Sequence, residues 1–154
     1  MLLGIGAIVA IPASLWSVRL AGRHGIVEIV KLTSWIMAAA VIGYVLVVLR
    51  PSLYLVAPLV VVFAAAYGAY QAVDWALALR VLPSRDAAGK DMGVWHVSMV
   101  LPQIIGPAGT GWIISWSKGT VSPSFAYVLA FVVASVWFVL AALLVGRIKL
   151  PRAT

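Results

Sequence analysis

The chain has 154 residues, 64% of them apolar and 10% charged, with a mean hydropathy of +1.12. A soluble domain is about 25% charged, so too few charges are present to clothe a water-facing surface, which excludes a cytosolic enzyme, a secreted disulfide scaffold and a disordered tail. The net charge of +7 is that of 11 Lys and Arg against four Asp and Glu, the cations scattered between apolar runs, which reads as membrane topology and not as a nucleic-acid surface; with no cysteine, no disulfide, thiolate or Cys-based metal site can form.

A bilayer core about 30 Å thick takes roughly 20 apolar residues in helix. Five stretches qualify, at approximately 2–18, 26–49, 53–79, 93–116 and 125–146. The expected fold is therefore an all-α integral membrane bundle, with no cofactor. The first stretch begins at Met1 without a basic region before it, so it reads as a helix, whole or partial, and not as a signal peptide. A transmembrane β-barrel does not fit, because the segments are continuously apolar and do not alternate.

The cations sort by side. Arg19, Arg23, Lys31, Arg80, Arg85, Lys90, Arg147, Lys149 and Arg152 fall on one face of the membrane, and Arg50 and Lys118 on the other. By the positive-inside rule the C-terminus is cytoplasmic and the N-terminus outside.

The third span carries Tyr67, Tyr70, Gln71 and Asp74, at i, i+3, i+4 and i+7, which places all four on one helix face. Asp74 precedes Arg80 by six residues and so sits about 9 Å inside the helix end. A carboxylate there is costly unless it faces a bundle interior or a wet cavity. It reads either as a coupling or solute-binding group or as a structural partner near the interface. In the fourth span His96, Gln103 and Thr110 recur every seven residues, and Pro102, Pro107, Gly93, Gly106, Gly109 and Gly111 loosen the backbone. Such a helix suits either rocking or close packing. Most tryptophans lie near span ends, as an interfacial aromatic belt requires. Glu28 and Lys31, three apart, read as a structural ion pair.

Gly68-Ala-Tyr-Gln-Ala-Val-Asp74, Val81-Leu-Pro83, Gly89-Lys-Asp-Met-Gly93-Val, Leu101-Pro-Gln103 and Gly106-Pro107 together resemble the major facilitator superfamily. The likeness is to the C-terminal half of the glycoside or sucrose cation symporters, with His96 standing where that family has asparagine. A second likeness is Leu20-Ala-Gly-Arg23-His-Gly25, which is similar to the superfamily's cytoplasmic loop signature, with Arg19, Arg23 and Gly25 in a loop over 19–25. The resemblance implies the eighth to twelfth helices of a twelve-helix bundle in the plasma membrane. It also implies alternating-access transport of a sugar or glycoside with a proton or cation. Tyr67, Tyr70, Gln71 and Asp74 would line the pathway, with Gln103 and Thr110 opposite.

Five spans supply one incomplete half, so an N-terminal half or a partner subunit is expected to complete the bundle. Without it, a first-helix face of Gly4, Gly6, Ala10 and Ser14 is expected to lack its neighbour. The alternative is a non-transporting membrane subunit that packs on another protein. No phosphate loop, His/carboxylate metal spacing or nucleophile elbow occurs, so no enzyme is expected.

Overall fold

The computed structural model describes residues 2–81, 88–117 and 122–148. Among the described residues the chain is five helices: α1 (Leu2–His24), α2 (Ile26–Leu49), α3 (Leu53–Val81), α4 (Ala88–Ser117) and α5 (Pro123–Val145). All five are long and apolar enough to cross a membrane. Their outer faces carry exposed Leu, Ile, Val and Trp, which fits a lipid environment.

Two boundaries move well away from the sequence expectation. Helix α1 does not stop at residue 18 but continues to His24, so Arg19 and Arg23 stand on its last turns and not in a loop. Leu20 and Ala21 are good helix formers. The two arginines can run their aliphatic stems along the helix while their charges reach water and complement its C-terminal dipole. Gly25 alone makes the connection, at φ 92° and ψ 146°, a backbone region closed to side chains with a Cβ. Helix α4 starts at Ala88 and not at 93, with Asp91 in its first turn where the helix dipole favours an acid. It runs unbroken through Pro102 and Pro107. Leu82, Pro83, Arg85, Lys118, Lys149 and Arg152, used above for the resemblance or the charge count, lie outside the described residues.

Helix α2 is the centre of the packing, wedged between α3 and α5, while α1 lies chiefly on α3. Its buried face runs through Ile29, Val30, Thr33, Ser34, Met37, Ala38 and Val41. Small residues let the helices close up. Gly6 and Ala10 of α1 meet Ala64 and Gly68 of α3. The face expected to lack a neighbour is thus partly covered from within the chain, because α3 offers equally small residues to receive it. Near Gly25, Ile26, Ile29 and Val30 of α2 cluster with Val73 and Leu77 of α3. The Ser135 hydroxyl of α5 donates to the Ala38 carbonyl of α2 at 3.1 Å, a hydrogen bond between helices in a buried setting. Tyr44 of α2 stacks on Phe131 of α5, with centroids 5.4 Å apart.

Helix α4 stands apart. It touches α5 over a small area, and its Trp95 meets Trp75 of α3 edge to face at 4.3 Å. Gly93, Gly106, Gly109 and Gly111 all face open space. Hydropathy marks such a helix as a span but carries no information on what covers it.

Candidate functional site

Tyr67 and Tyr70 of the polar stripe on α3 open onto a cavity of ≈ 210 Å³ between α2, α3 and α5. Ser34 and Met37 line it from α2, and Trp137, Phe138 and Ala141 from α5. These positions fall near the middle of α2 and α3 and slightly past the middle of α5, so the cavity lies at mid-depth in the bundle. Four aromatic side chains therefore line one space. Phe63 braces two of them: it stacks on Tyr67 one turn away at 6.2 Å and meets Phe138 edge to face at 6.1 Å.

The polar groups at this cavity are few. The Ser34 hydroxyl donates to the Val30 carbonyl at 2.8 Å, so its proton is committed within α2. The Tyr70 hydroxyl interacts with the Asp74 carboxylate one turn further along α3, as donor to acceptor. Asp74 is half-buried and flanked by apolar helix, a setting in which a carboxylate needs a donor. The phenol supplies it.

The remaining expected residues are placed differently. Gln71 is half-buried on α3 but is not among the residues lining this cavity. Gln103, Thr110 and His96 are exposed on α4, and none of the three lines a cavity described here. The stripe on α4 is thus not brought against the stripe on α3, because α4 reaches α3 through Trp95 instead. Arg19 and Arg23 are exposed on α1 at the Gly25 end. Glu28 and Lys31 form the expected i, i+3 pair at 3.9 Å, both with exposed side chains.

Sequence reading missed Ser34, Met37, Trp137, Phe138 and Ala141. The one available signal was Trp137-Phe138, two large aromatics well inside the last span, where an interfacial belt does not explain them.

A second cavity, of ≈ 330 Å³, lies between α1, α2 and α3 and includes Ala13, Trp16, Ser17, Leu32, Thr33 and Ala66. It offers little to a polar solute. Ser17 donates to Ser14 at 2.8 Å, and Thr33 donates to Ile29 and Val30 at 2.9 and 3.0 Å, all within their own helices. No group of three or more His, Cys, Asp or Glu that could hold a metal ion occurs among the described residues.

Comparison of the chain with known protein families, with curated proteins and with solved structures finds no match.

Proposed function

We propose that this chain is part of a secondary active transporter that moves a small solute by alternating access. The observation that carries the reading is the mid-depth cavity walled by Tyr67, Tyr70, Trp137 and Phe138, with Asp74 attached to it through Tyr70. A cavity at mid-depth between helices, next to an intramembrane carboxylate, is where transporters bind solute and coupling ion. Asp74 is the coupling carboxylate in this reading, and the phenols orient the solute.

The finer features follow from the charge distribution and the resemblance. The bundle is of the major facilitator type and lies in the plasma membrane, with its C-terminus in the cytoplasm. The resemblance alone implies a sugar or glycoside carried with a proton or cation, whereas the cavity itself supports only a small solute. An N-terminal half or a partner subunit completes the bundle, and it would cover Gln103 and Thr110 on the open helix α4.

The test is uptake by membrane vesicles from cells that make the chain at its native level, under an imposed proton gradient, with a panel of labelled small solutes. At least one solute should accumulate in a chain-dependent way. Asp74→Asn should abolish gradient-driven accumulation while leaving exchange of solute across the membrane. Accumulation unchanged by Asp74→Asn removes Asp74 from coupling, and uptake indifferent to deletion of the chain removes transport.

A second reading, a non-transporting subunit that packs on another membrane protein, is favoured by α4 alone. Its glycines face open space and its polar residues are exposed. Uptake that survives replacement of Tyr70 and Asp74 by apolar residues, but not deletion of the chain, would select it.

A further inference from the structure

We infer that the mid-depth cavity binds a small organic cation, a quaternary or tertiary ammonium ion, in place of a neutral sugar. The inference rests on the transporter reading only in naming this ligand as the carried solute.

Three features of the cavity point the same way. Its walls are aromatic: Tyr67 and Tyr70 come from one helix and Trp137 and Phe138 from another, around ≈ 210 Å³. The face of an aromatic ring is the negative end of its quadrupole, so a space lined by several rings suits a cation whose charge is spread over alkyl groups. The attraction is largest where water is excluded.

A carboxylate lies close to the tyrosine rings, on the same helix. Asp74 lies one turn, about 6 Å along the helix axis, from Tyr70. The Tyr70 hydroxyl and that carboxylate interact, the phenol being the donor of the two. The negative charge also balances a bound monocation across a low-dielectric gap. The chain has only four acidic residues against 11 basic ones, so an acid here is not a background event.

Sugar recognition meets the opposite conditions. A monosaccharide carries several hydroxyls, each of which is costly to bury without a partner. Met37, Phe138 and Ala141 have no side-chain N–H or O–H to offer and the Ser34 proton is committed to Val30, which leaves one donor each on Tyr67, Tyr70 and Trp137 for the whole ring of sugar hydroxyls. Gln71, Gln103 and Thr110, which could have served, are not among the lining residues. The volume also lies below the roughly 300–1,000 Å³ of a site for a drug-sized ligand, which suits a molecule of few heavy atoms and disfavours a glycoside.

The test is equilibrium binding of labelled choline to the purified full chain, with two competitors. One is the neutral carbon isostere of choline, in which a quaternary carbon replaces the nitrogen; the other is methyl glucoside. Choline should bind saturably, and the isostere should compete at least about tenfold more weakly, since only the charge differs. Tyr67→Leu and Trp137→Leu should each weaken choline about tenfold, while Tyr67→Phe and Trp137→Phe stay within about threefold because the ring remains. Where a leucine variant does not fold by circular dichroism, the isostere comparison on the wild-type chain decides alone. Equal competition by the isostere, leucine variants that bind as the wild type does, or no saturable choline binding overturns the inference. Saturable methyl glucoside binding without choline binding sinks the cation site and leaves the transporter reading standing. Choline binding with no chain-dependent uptake of any solute keeps the cation site and sinks the transporter reading.

Discussion

Gly68 fixes how closely α1 and α3 approach, and replacing it by alanine should separate them. A Cβ at Gly68 would lie 2.6 Å from the Ala10 carbonyl oxygen and 2.8 Å from the Ala10 Cα. Non-bonded carbons rest about 3.5–4.0 Å apart, so α1 must withdraw by about 0.7–1.2 Å. The obstacle is backbone, so no side-chain rotation relieves it. Helix α1 is held chiefly by α3, and a gap of that size forfeits a quarter to a half of each dispersion contact along the seam. Overpacking of this kind costs about 1–3 kcal/mol. Gly6→Ala is the matched control, because its Cβ would meet the Ala64 Cβ at 3.4 Å, an ordinary contact. Both variants gain the same helix propensity, about 0.8–1.0 kcal/mol, so their difference isolates the clash. Equilibrium unfolding of each variant in mixed micelles, by titration with a denaturing detergent, measures that difference. Gly68→Ala should be less stable than Gly6→Ala by about 1–3 kcal/mol. Equal stability, or a more stable Gly68→Ala, refutes the close approach of α1 to α3.

Three further outcomes are expected. Gly25→Ala should cost about 1–3 kcal/mol in the same unfolding assay, since φ 92° with ψ 146° is a region that only glycine enters freely; Gly25→Asn should rescue little, because that ψ is far from the left-handed helical well. Ser135→Ala removes the donor to Ala38 and should cost about 0.6 kcal/mol, the usual size of a hydrogen bond between membrane helices. The chain has no native cysteine, so single cysteines at Arg23 and Arg147 should react with an impermeant thiol reagent from the cytoplasmic side, and those at Ser52 and Ser122 from the other; labelling of all four from one side contradicts the topology.

Hydropathy made the five helices legible because backbone hydrogen bonding in lipid permits little else than continuous helix. Their ends were less so. Arg19 and Arg23 look like loop residues by charge, yet arginine tolerates the last turns of a helix by extending to water. The pairing of Gly6 and Ala10 with Ala64 and Gly68 was hidden because small residues show that a helix packs closely without showing on what. The same limit applies to α4, where the seven-residue spacing of Gln103 and Thr110 gave their common face but not its neighbour. Within the candidate site, helical phase was enough to place Tyr67, Tyr70 and Asp74 together on α3. Trp137 and Phe138 escaped notice because an aromatic in an apolar span carries the same signature whether it meets lipid or a cavity.

Alternating access is tested most directly by reaching the cavity from both sides of the membrane. Ala141→Cys puts a small thiol at the cavity wall in a chain otherwise free of cysteine, and Leu46→Cys puts one on an exposed apolar position of α2 as a control. Sealed vesicles of both orientations are treated with a charged, membrane-impermeant thiol reagent, in the native membrane where any completing subunit is present. A transport pathway predicts that Ala141→Cys reacts from each side and that Leu46→Cys reacts from neither. Reaction of Ala141→Cys from one side only, or from none, contradicts a role for this cavity in carrying solute across the membrane.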